Sequence, residues 1–410
     1  MRLFLIVFTI VTLCACSEEK ISPKSGEWRA VLETMDGKEL PFQFVYKSDN
    51  SLSIYNAEEV IEVDEVQIIG DSIIIKMPVY EGVFKGKYTE NSISGDFIKP
   101  SLDRVVPFMM KQGEEERFLV ADAPGAQVEG NWEAVFSPDV DDDRYIAKGI
   151  FKQKGHKVTG TFRTTTGDYR YLEGAIENDM MRLSTFDGAH AFLFEAKVQG
   201  DSVMNGVFYS GNHFKEPFTA KRNESFELPS AESLTFLKEG YDKIAFSFPD
   251  TDGTMVSLED DVYMGKAVVV QIMGTWCPNC LDETKYYTDY HNNSKPEGVE
   301  FISLAFEYAP SAEKANRSIN RLKERVGVPY PILLAQFGTS SKQKANEKLP
   351  MLNHVLSYPT TIFIDKQGKV RKIHTGFNGP ATGKEYTDFV TEFEAYVQML
   401  ADEEFMVDAE

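Results

Sequence analysis

The segment Trp276-Cys277-Pro278-Asn279-Cys280 carries the residues best suited to chemistry in this chain of 410 residues. Two thiols separated by two residues, where an apolar strand turns into a helix, put the first sulfur at the helix N-terminus. Unpaired backbone N–H groups and the helix macrodipole favour negative charge there. Cys277 is therefore expected to ionise below the usual thiol range and attack as a thiolate. Pro278 suits the first helical turn, where an N–H would have no acceptor. Cys280, one turn on, is placed to resolve a mixed disulfide by attacking the Cys277 sulfur. Such a pair stores two electrons reversibly in its own disulfide and implies no other cofactor.

Two other chemistries use the same spacing. A structural zinc site needs two further ligands, but there is no second cysteine pair, and His291, His354 and His374 stand isolated. A permanently closed structural disulfide is the other, although so small a loop is a poor staple. The remaining cysteines lie at the N-terminus, where Met1-Arg2 and an apolar run over 3–13 have the form of an export signal rather than a membrane span. Leu13-Cys14-Ala15-Cys16 resembles the bacterial lipobox, in which the last cysteine is lipidated and becomes the mature N-terminus; an ordinary secretory signal is the alternative. On the lipobox reading Cys14 is removed, Cys16 is the lipid anchor, and Cys277 and Cys280 are the remaining thiols in a compartment where disulfides form freely. The protein is then expected in the cell envelope, tethered to a bacterial membrane and facing the periplasm or the exterior.

The length calls for two or three domains. A net charge of −21 with no concentration of Lys and Arg argues against nucleic acid as a partner. Over 26–222 short alternating runs are broken by turn residues, the pattern of an all-β region. Gly26-Glu27-Trp28-Arg29-Ala30-Val31 returns as Gly130-Asn131-Trp132-Glu133-Ala134-Val135, Ser92 to Phe97 resembles 202–208, and Val106-Pro107-Phe108 resembles Glu216-Pro217-Phe218. A duplication with a loop insertion explains these matches and predicts two tandem β units, or two halves of one barrel or sandwich, with Trp28 and Trp132 as core residues.

From about residue 241 strands and helices alternate, as in an α/β layer. Ala267–Met273 is a near-continuous apolar run, as a buried strand requires. Further strands are predicted at 298–306, 330–334, 360–364 and 370–374, and helices from Cys277 and over 311–326, 341–348 and 383–400. Tyr286, Tyr287 and Tyr290 are expected to pack on the first helix, and Glu307 to sit in a solvated loop.

This last region resembles the thioredoxin superfamily, specifically its membrane-tethered TlpA/ResA-like branch. The resemblance is carried by Phe246-Ser247-Phe248-Pro249-Asp250 with Gly253 and Leu258, Gly265-Lys266, Gly274 to Cys280, Tyr358-Pro359-Thr360-Thr361-Ile362-Phe363-Ile364-Asp365, and Gly368-Lys369-Val370 with Gly376. It does not extend to 17–225. It implies that Pro359 is a cis-proline facing the redox pair, exposing the Tyr358 backbone to an extended substrate segment, with Trp276 and Thr360 beside it; an ordinary trans turn and plain packing of Trp276 are the alternatives. Glu283, three residues after Cys280 and on the same helix face, takes the position of an acid that assists proton transfer at the thiols; the alternative is an exposed helix carboxylate. Gln271 departs from thioredoxins proper, which carry a buried Asp there.

The expected organisation is a lipoprotein signal over 1–16, a tether at 17–25, β units at 26–125 and 128–224, a linker helix within 225–240, a thioredoxin-like α/β fold over 241–402 and an acidic tail at 403–410. The implied activity is thiol–disulfide exchange with protein clients, in the reducing direction, with an upstream membrane or periplasmic donor. TlpA/ResA relatives commonly reduce cysteines of apocytochrome c or of copper-site assembly proteins. Two other functions remain open. A peroxiredoxin-type peroxidase would want Pro and Thr where Val270 and Gly274 stand. A binding or assembly lipoprotein would be dominated by its β region.

Overall fold

The computed structural model describes residues 22–200 and 203–405, so the export signal and Cys16 lie outside the described residues. Nine strands form the first β unit: β1 Gly26–Glu33, β2 Glu39–Tyr46, β3 Leu52–Asn56, β4 Glu59–Val63, β5 Glu65–Ile69, β6 Ser72–Lys76, β7 Val83–Tyr88, β8 Ser92–Lys99 and β9 Arg104–Gln112. They run as an antiparallel meander in which β1 pairs with both β2 and β9. β4 and β5 are the halves of one bent strand, the first paired with β3 and the second with β6. The chain through Asp64 thereby completes the ring.

The second unit repeats this plan with β10 Gly130–Phe136, β11 Tyr145–Lys154, β12 Lys157–Thr164, β13 Gly167–Asp168, β14 Leu172–Glu177, β15 Met180–Phe186, β16 Ala191–Gln199, β17 Val203–Ser210 and β18 Phe214–Arg222. β10 pairs with β11 and β18, and β12 pairs with β11 and β14, which closes a barrel. Pairing of first with last strand in both units selects barrels over sandwiches, because it leaves the ring without a free edge there. The duplication is visible in detail: the indole N–H of Trp28 donates to the carbonyl of Lys24 at 2.9 Å, and that of Trp132 to the carbonyl of Val128 at 2.8 Å. Both tryptophans are fully buried.

Side chains fill the second barrel. The Phe136 ring stacks on Tyr145 at 4.9 Å and Phe218 at 5.1 Å, and Phe194 lies 4.7 Å from Phe208. Between the barrels, 113–129 is irregular but docked, with Arg117 buried and donating to the carbonyls of Tyr55 and Ser184.

The linker differs from expectation. Within 225–240 no helix forms; the described backbone runs through turns. Its N–H groups are drawn to the neighbouring domain instead of to the preceding helical turn: Lys238 donates to the carbonyl of Met351 at 2.8 Å, and Phe236 to the side-chain oxygen of Asn353 at 3.0 Å. Such tertiary partners outweigh a weak local helix preference.

The C-terminal α/β domain opens with a hairpin, β19 Ser247–Pro249 and β20 Met255–Ser257, followed by β21 Ala267–Met273, α1 Pro278–Asn293, β22 Val299–Phe306, α2 Ala312–Val326, β23 Ile332–Gln336, α3 Lys342–Lys348, β24 Thr360–Ile364, β25 Val370–Thr375 and α4 Lys384–Asp402. The main sheet has the order β23-β22-β21-β24-β25, with β21 parallel to β22 and antiparallel to β24. Every residue of β21 is buried, as its apolar run requires. Tyr287 of α1 stacks on Phe393 of α4 at 4.9 Å, and Tyr286 and Tyr290 surround the same ring. Arg321 and Arg325 of α2 reach Glu65 and Asp64, covering the seam between β4 and β5.

Phe136→Ala removes a fully buried ring from the centre of the second barrel. It should destabilise the protein by about 3–5 kcal/mol, measured by urea unfolding. A loss below about 1 kcal/mol would mean that the barrel is not held by this cluster.

Candidate active site

β21 delivers the chain to Gly274, and α1 begins three residues later with Cys277 as its N-cap. The Cys280 N–H, one of the orphan donors of the first turn, points at the Cys277 sulfur from 3.2 Å. This contact and the helix start favour negative charge on that sulfur once the pair is reduced. Pro278 takes the first helical position. Cys277 and Cys280 are joined as a disulfide, with their Cα atoms 5.2 Å apart. Cys277 keeps 6% exposure and Cys280 none.

The loop before β24 faces this pair. The Tyr358–Pro359 peptide bond is cis, and the Tyr358 carbonyl oxygen lies 3.4 Å from the Cys277 sulfur. Gly376 donates its N–H to the Pro359 carbonyl at 2.9 Å, tying the next loop to this one. Trp276 donates its indole N–H to the Phe306 carbonyl at 3.0 Å and sets its ring edge-on to Tyr358 at 5.5 Å. Its remaining face borders a cavity of about 540 Å³ where both barrels meet the α/β domain, with Lys99, Arg104, His190 and Tyr308 in the walls. Thr360 does not face a client: it is fully buried, and its hydroxyl donates to the Ser357 carbonyl at 2.9 Å, which braces the Tyr358–Pro359 loop from behind.

Glu283 is fully buried rather than an exposed helix carboxylate. It accepts from the Gln271 amide at 2.8 Å, the Thr361 hydroxyl at 3.0 Å and the Tyr287 hydroxyl at 3.1 Å. Burial pushes its carboxyl up to about 7, against the pull of these donors. The Gln271 amide also reaches the Cys280 carbonyl at 3.4 Å, so it bridges the acid to the resolving cysteine's backbone.

Glu307 is also buried, which corrects the solvated-loop expectation. It accepts from the Thr275 N–H at 2.7 Å and the Thr275 hydroxyl at 2.8 Å, fixing the turn that leads into Trp276. Burial raises this carboxyl to about 7 as well. Among the described residues no group of three or more His, Cys, Asp or Glu side chains is arranged to hold a metal ion.

The family model Redoxin matches residues 238–389. The chain is 27% identical over 140 residues to the thiol-disulfide oxidoreductase ResA of Bacillus subtilis, covering 34% of this chain and 69% of that protein. Residues 238–389 are a TlpA/ResA-like thioredoxin-superfamily domain. ResA of Geobacillus kaustophilus is 30% identical over 131 residues, covering 32% of this chain and 66% of that one. These matches span about two thirds of each relative's length. Among solved structures, the thioredoxin-family thiol:disulfide interchange protein of Chlorobium tepidum aligns with a TM-score of 0.30 and 19% identity, covering 40% of this chain and 98% of that chain. StoA of Bacillus subtilis aligns with a TM-score of 0.25 and 17% identity, over 35% and 96%.

The redoxin domain's cysteine face is not open to solvent. Tyr358, expected to expose its backbone, is 8% exposed: its ring packs against Trp276 and Phe306, and the second barrel covers the adjoining Ser357. The Ser357 hydroxyl donates to the Thr166 carbonyl at 2.7 Å, and Asp168 accepts from the Gly379 N–H at 2.6 Å and from the Asn279 amide at 3.3 Å. The sequence carries no local signal for these partners, which lie more than a hundred residues from their targets.

A raised acid makes stability fall as pH rises. The folded protein holds a proton on Glu283 that the unfolded chain releases above 4.5, so the contribution of this group is present in full below 4.5 and is lost as pH climbs through about 7. That rise from 4.5 to about 7 corresponds to on the order of 3 kcal/mol. Glu283→Gln should therefore gain stability relative to the parent by up to that amount across this pH window, measured by denaturant unfolding at several pH values. A difference that does not change with pH would contradict a protonated Glu283.

Proposed function

We propose that the protein is an exported thiol–disulfide oxidoreductase, anchored to a bacterial membrane by lipid on Cys16, that reduces cysteines of protein clients in the cell envelope. The supporting observation is the position of Cys277: N-cap of α1, with the Cys280 N–H at its sulfur and the carbonyl of the cis-proline loop beside it.

In the reduced enzyme the Cys277 thiolate attacks one sulfur of a client disulfide. The other client sulfur leaves as a thiolate and takes up a proton, and a mixed disulfide forms. Cys280 then loses its proton and attacks the Cys277 sulfur; the Cys277–Cys280 disulfide forms and the second client thiolate departs. Two electrons have passed to the client, and an upstream dithiol donor in the membrane or periplasm restores the pair. Glu283, poised near 7 in an apolar setting, has a proton affinity suited to serving the second step as general base. Trp276 and the Tyr358–Pro359 loop form the client-facing wall. The pair itself carries the electrons, so no bound cofactor is required. The relatives named thiol-disulfide oxidoreductases support the reaction class, and the resemblance to their branch supports the reducing direction.

Cys280→Ser should halt the cycle at the mixed disulfide. Expressed in an envelope-bearing host, it should accumulate disulfide-linked partners that vanish on reduction and are absent from the Cys277→Ser variant. Equal yields from the two variants would refute attack by Cys277. Separately, Cys16→Ala should move the protein from the membrane to the soluble fraction; retention in the membrane would sink the anchor.

A further inference from the structure

We infer that the β12–β13 hairpin of the second barrel is a tethered stand-in for a client, seated in the groove through which a client segment reaches Cys277. The inference rests on the proposed exchange with protein clients and adds what controls access and what the groove selects.

The groove is bounded by Asn279 of the redox motif, by Ser357 and Tyr358 before the cis-proline, and by the 376–379 loop. An extended segment of a client would lie along these backbones, as strands added to an open edge do. The hairpin occupies this groove now, through Thr166 in its turn and through the Asp168 side chain. Besides the bonds from Ser357, Gly379 and Asn279 to Thr166 and Asp168, its backbone runs close to both walls. A Cβ on Gly167 would stand 3.1 Å from the Asn279 amide nitrogen, and one on Gly376 would stand 2.9 Å from the Thr166 carbonyl carbon. Both glycines have positive φ, +144° and +79°, so this close approach suits glycine and little else.

The hairpin is anchored at its root, and its half-buried turn meets the redoxin domain through the bond from Ser357 to Thr166. Tyr169 sinks into the barrel, its ring 5.2 Å from Phe208 and its hydroxyl 2.6 Å from that of Tyr145. Arg170 binds Asp282, two residues beyond Cys280, at 3.1 Å. On the other side of the tip, a cleft of about 240 Å³ runs between Thr165 of the hairpin and Asn378 of the redoxin domain. The contacts over the groove are mainly polar. A client's own carbonyl and carboxylate can replace each of them, and polar interfaces of this kind between domains are the ones that move. The bound hairpin also reports the preferred client: a segment with glycine over Asn279, followed by a carboxylate that takes the Gly379 N–H.

The test uses the full-length protein after chemical reduction, with labelling of Cys277 read by mass spectrometry of its peptide. Wild-type Cys277 should react slowly with a polymer-bearing maleimide. Asp168→Ala and Asp282→Asn, each breaking one tie of the hairpin, should speed that reaction by about tenfold to a hundredfold, with a smaller change for iodoacetamide. A synthetic Thr-Thr-Gly-Asp peptide in excess should slow it again. If the wild type reacts with the bulky reagent as fast as the variants do, the hairpin is no cover and the inference fails. Should either variant unfold, hydrogen exchange of wild-type Gly379 decides: a protected amide supports the seated hairpin, and exchange at the rate of a free loop overturns it. Labelling needs only free thiols, so this result is independent of whether the pair exchanges with clients.

Discussion

Arg170 leaves the β13–β14 connection and places one guanidinium among Glu59 of the first barrel, Asp187 of the second and Asp282 of the redox helix, so a single buried cation ties the three parts of the molecule together. One positive charge cannot balance three carboxylates away from water. The carboxylates divide accordingly. Burial raises Asp187, but His190 and Arg170 outweigh it and hold the group below the ordinary range, whereas burial dominates at Asp282 and carries it to about 7 despite Arg170. A net of this kind contributes little stability beyond what apolar packing would, yet it is strongly destabilised when one partner is removed. It therefore fixes which surfaces meet. With Arg170 seated, the adjoining hairpin is directed toward Asn279 and the cis-proline loop.

The redox centre is built on the same economy of buried charge. Glu283 and Glu307 flank the motif, one on each side, and both are raised to about 7 by burial while hydrogen bonds oppose the shift. Glu307 spends its oxygens on Thr275 and so shapes the approach to Trp276. Glu283 keeps its contacts with Gln271, Tyr287 and Thr361, groups able to donate to either protonation state's remaining lone pairs. A carboxyl able to change charge near neutrality, one helical turn from Cys280, is the arrangement that a proton-coupled two-electron exchange needs.

Much of this was legible in the sequence because it is local. The apolar run Ala267–Met273, the turn at Gly274 and the cysteine spacing together define a strand feeding a helix N-terminus, and the repeat of Trp28 as Trp132 located two like β units. What failed was non-local. The stretch near Ser230 has helix-compatible residues, but its N–H groups are taken by Met351 and Asn353. Glu307 looks like a loop acid until Thr275 is folded against it. Thr360 reads as client-facing until its hydroxyl is folded onto the Ser357 carbonyl, and nothing near Tyr358 announces a hairpin nearly two hundred residues earlier. A motif records the chemistry it performs, whereas a cover leaves no mark beside the residues it covers.

On the proposed function, Cys277 and Cys280 form one reversible two-electron couple. Equilibrating the folded protein across a series of glutathione redox ratios, then counting alkylated thiols on these two residues by mass spectrometry, tests it most directly. Both cysteines should convert together in a single two-electron transition. A disulfide that stays closed at every ratio, or two thiols that never pair, would contradict it.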